Sequence, residues 1–228
     1  MTSLYTQWLE SAGIRWTNCP GCNSGSVAQY LECSLLLLEQ QKGLPLREST
    51  IGIVGCGHVG SKVKAVAERL GMRVLVCDPP LESKESNTQH PTPITLTSME
   101  VIEREADVIT FHVPLTKEGD YPTWHLADDD FLHRLSRVPY IINTSRGEVV
   151  DNKALLHALE DGRVRDAVID VWENEPRPLL LRFAVGSNCN ALIIRSALLI
   201  SVRLMSSACD FKNMEPFSTG GNAISPGK

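Results

Sequence analysis

Residues 51–80 read IGIVGCGHVGSKVKAVAERLGMRVLVCDPP. Ile51–Val54 has the length and apolar character of a buried strand. The turn after it, Gly55-Cys56-Gly57-His58-Val59-Gly60, has the spacing G-x-G-x-x-G. In that pattern the first glycine allows a tight turn and the second lets backbone approach a pyrophosphate. The third lets the following helix pack against the strand. Val59–Leu70 predicts that helix, ended by Gly71, with its first N–H groups turned toward phosphates. Arg73–Cys77 predicts the next strand. Asp78 then stands about twenty residues beyond the glycines, where an acid accepts hydrogen bonds from both ribose hydroxyls and repels a 2′-phosphate. Pro79-Pro80 supplies no Arg or Lys to neutralise such a phosphate. The unit therefore predicts a dinucleotide site that prefers NAD to NADP.

The same alternation continues downstream. Strands are expected at Val108–His112, Tyr140–Asn143 and Val164–Val171. Helices are expected at Ser98–Arg104, Asp128–Leu135 and Asn152–Glu160, the last with Asp151 as N-cap. A loop is expected from Pro79 to Pro93. Upstream, Thr6–Ala12 predicts a short helix and Ile14–Asn18 a short strand. Ser26–Gln41 predicts a long helix, because Val27, Leu31, Leu35 and Leu38 recur at four- and three-residue steps. Strands alternating with helices predict an α/β, doubly wound parallel sheet. The rhythm stops after Glu175-Pro176.

Bulk properties narrow the function classes. The chain has 228 residues, 43% of them apolar, and a formal net charge of −5. That balance gives no reason to expect nucleic acid or an acidic membrane as partner. Met1–Glu10 lacks the basic start and apolar run of a signal peptide. The apolar stretch Ala191–Met205 contains Arg195 and Arg203, which argues against a span, although an interfacial helix is a third reading. Seven scattered cysteines argue for a reducing compartment and a cytoplasmic location. Cys19-Pro20-Gly21-Cys22 has the spacing of a redox motif, but one such pair is weak by itself. No second Cys or His pair matches it, so no metal site is expected.

These motifs resemble the D-isomer-specific 2-hydroxyacid dehydrogenases. The matching pieces are Pro20–Asn23, Gly52–Gly60, Cys77–Pro80, Thr110–Leu115, Thr123–Ala127, Asn143–Asn152 and Ile169–Pro176. Cys77–Pro80 and Thr123–Ala127 point to a branch that oxidises a phosphorylated hydroxy acid in vitamin B6 biosynthesis. Phosphoglycerate and glyoxylate or hydroxypyruvate are the neighbouring substrates. The resemblance implies a Rossmann-type fold, NAD as cofactor and a homodimer. It implies that Arg146 binds the substrate carboxylate and that Glu175 orients a catalytic histidine and raises its pKa. It also implies cofactor contacts from Gly55, Gly57, His58, Val59, Gly60, Asp78, Val113, Thr144, Ser145, Arg146 and Asp170. His125 matches a position that is not the base and reads as a half-buried structural imidazole.

Against the resemblance, only Thr6–Pro20 corresponds to the first pass of the substrate domain. No histidine follows His157, where the family carries its base. Residues 177–228 match nothing in the family, whose dimerisation region lies there. The expected organisation is a remnant of the substrate domain at 1–23, an NAD-binding domain at 24–176 and an atypical tail at 177–228. A truncated start and a frame change near Pro178 would account for all of these departures. Without the dimerisation region, the apolar face of the long helix is expected to be exposed. Two function classes follow: an NAD-dependent oxidoreductase, or a catalytically silent dinucleotide-binding module.

Overall fold

The structure is a computed structural model that describes residues 4–14, 19–83 and 94–173. Five strands, β1 Thr50–Val54, β2 Arg73–Cys77, β3 Val108–Phe111, β4 Tyr140–Asn143 and β5 Asp166–Ile169, form one sheet. Every pairing is parallel and the order is β2-β1-β3-β4-β5. Strands β1, β3, β4 and β5 are buried at every residue, as expected of a sheet covered on both faces. The described α-helices are α1 Leu4–Ser11, α2 Ser24–Lys42, α3 Gly60–Arg69, α4 Pro79–Glu82, α5 Met99–Glu105, α6 Asp129–Arg134 and α7 Asn152–Glu160.

Two neighbouring residues of β1 show how the layers divide. A Cβ on Gly52 would lie 2.6 Å from Ile102 Cγ2 of α5, whereas Ile53 Cγ2 would lie 3.5 Å from a Cβ on Gly60 of α3. Successive strand residues face opposite sides, so α3 and α5 cover opposite faces. Helix α2 packs on α3, and α6 packs on both α5 and α7. The doubly wound arrangement expected from the alternation is therefore present. On the α5 side the core joins Ile109, Phe111 and Ile141 to Phe131, Leu132 and Leu155.

Local chemistry sets the element ends. Asp128 accepts the N–H of Phe131 at 2.8 Å and starts α6. Asp151 accepts those of Lys153 and Ala154 at 2.9 and 3.1 Å and starts α7. Lys42 Nζ lies 2.7 Å from the buried Asp166 carboxylate, fixing the end of α2 to the start of β5.

Several expectations need correction. Residues 79–82 form a short helix rather than loop, because Asp78 caps it through the Leu81 N–H at 3.0 Å. The last strand is shorter than Val164–Val171, since Val164 N–H turns back to the Ala158 carbonyl. Helix α2 starts two residues earlier than expected. Its apolar face is not exposed: Leu31 and Leu35 are 0% and Leu38 is 1% accessible, because the chain's own α3 lies against it. The strand expected over 14–18 falls mostly outside the described residues, as do Glu175 and the tail.

Candidate cofactor cleft

The strand order decides where a ligand can sit. From β1 the chain runs to β2 on one side, and β3 lies on the other side of β1. The helices leaving this point diverge and open a crevice at the carboxyl ends of the strands. A cavity of about 870 Å³ lies there, lined in part by Gly55, Gly57, His58, Asp78, His112 and Val113. That volume lies within the usual range for small-molecule sites.

The glycine turn is held from both sides. Gly55 has φ +90°, and a Cβ on it would lie 2.6 Å from the His112 carbonyl oxygen. Its N–H donates to the Cys77 carbonyl at 2.8 Å. Gly57 is different: a Cβ there would meet nothing within 4 Å, so its backbone faces open space. Asp78 bridges the site. One carboxylate oxygen accepts the Cys56 N–H at 2.7 Å and the other the Leu81 N–H. A carboxylate has about four acceptor positions, so both oxygens keep lone pairs for ribose hydroxyls.

Beyond β4, Asn143 organises the next stretch. It is wholly buried, and its Oδ1 accepts from the Ser145 N–H at 3.1 Å and the Ser145 hydroxyl at 2.8 Å. Its Nδ2 donates to the Arg146 carbonyl at 2.9 Å. Arg146 is exposed, and its guanidinium donates to the Ser145 carbonyl at 2.6 Å. The buried Thr144 hydroxyl has no hydrogen-bond partner among the described residues. Asp170, half-buried, continues the β4–β5 ladder by donating its N–H to the Asn143 carbonyl at 3.0 Å.

Each strand thus ends in expected site residues: Gly55 after β1, Asp78 after β2, Val113 near the end of β3, Thr144–Arg146 after β4 and Asp170 after β5. Gly55, Gly57, His58, Asp78 and Val113 line the cavity itself. Val59, Gly60, Thr144, Ser145, Arg146 and Asp170 are not among its lining residues. Gly60 acts from beneath, where α3 meets the turn.

Sequence reasoning missed His112 and the opposite wall, which includes Thr116, Tyr121 and Thr123. Their signal was position after β3, at the edge of the sheet where ligands bind. Thr123 ties that wall together by accepting the Thr116 N–H at 2.8 Å. His125 proves half-buried, with φ +50°. Its Nε2 lies 2.5 Å from Glu173 Oε1, in keeping with a structural role.

Burial pushes the His112 pKa down to about 4, and its Nε2 meets the Thr110 hydroxyl at 3.1 Å. The imidazole is neutral in the folded protein. Between about pH 6.5 and 4 the unfolded chain binds a proton that the folded one does not, so stability falls as pH falls. The loss approaches about 3 kcal/mol at most. His112→Asn is expected to flatten this part of the pH–stability curve in urea titrations. An unchanged slope would overturn the assignment.

A parallel α/β sheet that gathers a glycine turn and an acid just after the second strand at one edge defines a dinucleotide-binding domain. The sequence profile of the D-isomer specific 2-hydroxyacid dehydrogenase NAD binding domain matches residues 37–189, so the likeness runs past the boundary expected at Pro176, and the chain belongs to that family. Over 185 residues it is 54% identical to an erythronate-4-phosphate dehydrogenase from Bacteroides thetaiotaomicron, covering 80% of this chain and 51% of the relative. It is 46% identical over 185 residues to the enzyme of that name from Edwardsiella ictaluri, covering 80% of this chain and 48% of the relative. The chain thus spans about half the length of these curated relatives. Among solved structures, the D-lactate dehydrogenase of Aquifex aeolicus complexed with NAD and lactic acid is 27% identical. It superposes with a TM-score of 0.61 over 88% of this chain and 62% of that one.

Proposed function

We propose that the chain is an NAD-dependent 2-hydroxyacid dehydrogenase. In this proposal it oxidises 4-phospho-D-erythronate to 2-oxo-3-hydroxy-4-phosphobutanoate on the route to pyridoxal 5′-phosphate. The observation that carries the proposal is the convergence of five strand ends on one edge, with a cavity beside the glycine turn. The identity of 54% to an erythronate-4-phosphate dehydrogenase favours that substrate over other hydroxy acids.

The residues present suit NAD. The Gly57 backbone and the α3 N-terminus offer N–H groups to the pyrophosphate. Asp78 accepts from the ribose. NAD, when bound, supplies the hydride acceptor. Arg146 presents a guanidinium suited to grip the substrate carboxylate in a bidentate manner. It stands on the loop that Asn143 holds, two residues after Thr144. Glu175 orients a protonated imidazole, if one is supplied. No histidine follows His157, so this chain places no base at the family's position. General base catalysis is worth about 100- to 10,000-fold, and turnover by this chain is expected to be correspondingly weak. That missing base favours a second reading, a silent NAD-binding module.

Calorimetric titration with NAD tests the first step. Asp78→Ala is expected to weaken binding by at least about tenfold, since hydrogen bonds to a charged group contribute about 1.5–3 kcal/mol each. Asp78→Asn keeps one acceptor oxygen but sets an NH2 donor against the other of the Cys56 and Leu81 N–H groups, and, losing the charge as well, is also expected to weaken binding. A Kd unchanged in both variants would refute the cofactor assignment. A steady-state assay with erythronate 4-phosphate then separates the two readings. Slow but saturable NAD reduction supports the dehydrogenase, and none at all supports the silent module.

A further inference from the structure

Cys19, Pro20, Gly21 and Cys22 lie beside the glycine turn, and the cofactor reading does not use their sulfurs. The Cys22 N–H donates to the Cys19 carbonyl at 3.2 Å, and Gly21 has φ +78°. With proline at the second position this is the signature of a type II β-turn. Such a turn brings its first and fourth Cα atoms within about 7 Å, and a disulfide spans about 4.4–6.8 Å. Both thiols are free and exposed, whereas Cys56 and Cys77 are buried. Burial, and next the charge of Asp78, push those two thiols up to about 11.

The turn touches the nucleotide site at two points. A Cβ on Gly21 would lie 2.7 Å from His58 Cγ, so the Gly21 backbone rests on the His58 imidazole. The Gly21 carbonyl accepts the Ser24 hydroxyl at 2.5 Å. That hydroxyl in turn accepts from Lys62 Nζ of α3 at 2.7 Å. Any closing of the Cys19–Cys22 turn therefore bears on His58 and on the helix whose N-terminus faces the pyrophosphate.

We propose that Cys19 and Cys22 form a reversible disulfide whose closure weakens dinucleotide binding at the adjacent glycine turn. The oxidant is a low-molecular-weight disulfide. One cysteine thiolate attacks it, forming a mixed disulfide and releasing one small thiol. The second cysteine displaces the other small thiol and closes the S–S bond. The two cysteine protons end on the two released thiols, and two electrons pass from the protein to the oxidant. The effect on binding rests on the cofactor assignment of the glycine turn, but the bond itself does not.

The experiment equilibrates the full chain in buffers of reduced and oxidised glutathione. Proteolytic mapping by mass spectrometry then scores the bridge, and NAD titration follows on each form. A Cys19–Cys22 bridge is expected as oxidised glutathione rises, with Cys33 remaining unbridged. NAD affinity is expected to fall by about fivefold or more, recovering on reduction. Cys22→Ser and Cys19→Ala should each abolish the response, and Cys33→Ser should keep it. Two thiols persisting, or only mixed disulfides, in excess oxidised glutathione would overturn the site. A mapped bridge with unchanged affinity would overturn the coupling. A reduced protein that binds no NAD refutes the cofactor reading instead, while mapping still decides the bond.

Discussion

Gly60→Ala is expected to cost about 3 kcal/mol or more of stability and to weaken NAD binding about a hundredfold, about 2.7 kcal/mol. The added Cβ would lie 1.9 Å from the Gly55 carbonyl oxygen and 2.9 Å from its carbon. Backbone at that distance cannot turn aside as a side chain can. Gly55 has nowhere to retreat, because the His112 carbonyl and Val113 crowd it and its N–H is bonded to Cys77. Helix α3 would have to lift off β1, taking with it the N–H groups offered to the pyrophosphate. Thermal melts should shift by roughly 6–12 °C for a domain of this size. Gly57→Ala separates the two effects. Its Cβ meets nothing within 4 Å, so the melt should hardly move while NAD affinity drops. A Gly60→Ala protein that melts with the wild type would refute the close packing of turn and helix.

Gly147→Ala is expected to destabilise by a similar amount, about 3 kcal/mol, with a smaller effect on NAD affinity, under about tenfold. Its Cβ would fall 2.1 Å from both the carbonyl carbon and oxygen of Trp172 and 2.6 Å from the Glu173 nitrogen. Trp172 belongs to the main core and is 6% exposed. Glu173 is held by His125 at one oxygen and by the Asn152 N–H at the other, at 3.1 Å. Its own N–H donates to Asn152 Oδ1 at 3.2 Å. The segment cannot yield without breaking this set. The loop carrying Arg146 would then shift, although the glycine turn would not. Urea denaturation and calorimetry at a temperature where the variant is folded distinguish these outcomes. A loss below about 1 kcal/mol would overturn the argument.

Much of the fold was legible because its signals are local. The apolar run of β1, the periodicity of α2 and the cap Asp151 act within a few residues of themselves. The short helix α4 was missed because two prolines read as a loop, although proline is acceptable in a first helical turn once a residue such as Asp78 caps it. The face of α2 was misjudged for a different reason. Period marks an apolar stripe but not what covers it, and here α3 does.

The candidate site divides in the same way. G-x-G-x-x-G and Asp78 announced themselves by type and spacing. His112, Thr116 and Thr123 did not, since nothing in their neighbours marks them as walls of a cavity.

The stretch from Ile51 to Pro80 by itself determined that this protein carries a dinucleotide-binding turn, because the requirement for glycine there is steric and local. Only the tertiary structure decided which residues meet that turn. The order β2-β1-β3-β4-β5 places the ends of strands up to about a hundred residues apart along one edge, as the crevice rule of such sheets requires. It also sets the Cys19–Cys22 turn against His58. Contacts of that kind come from packing whole helices on a sheet, and no spacing along the chain records them.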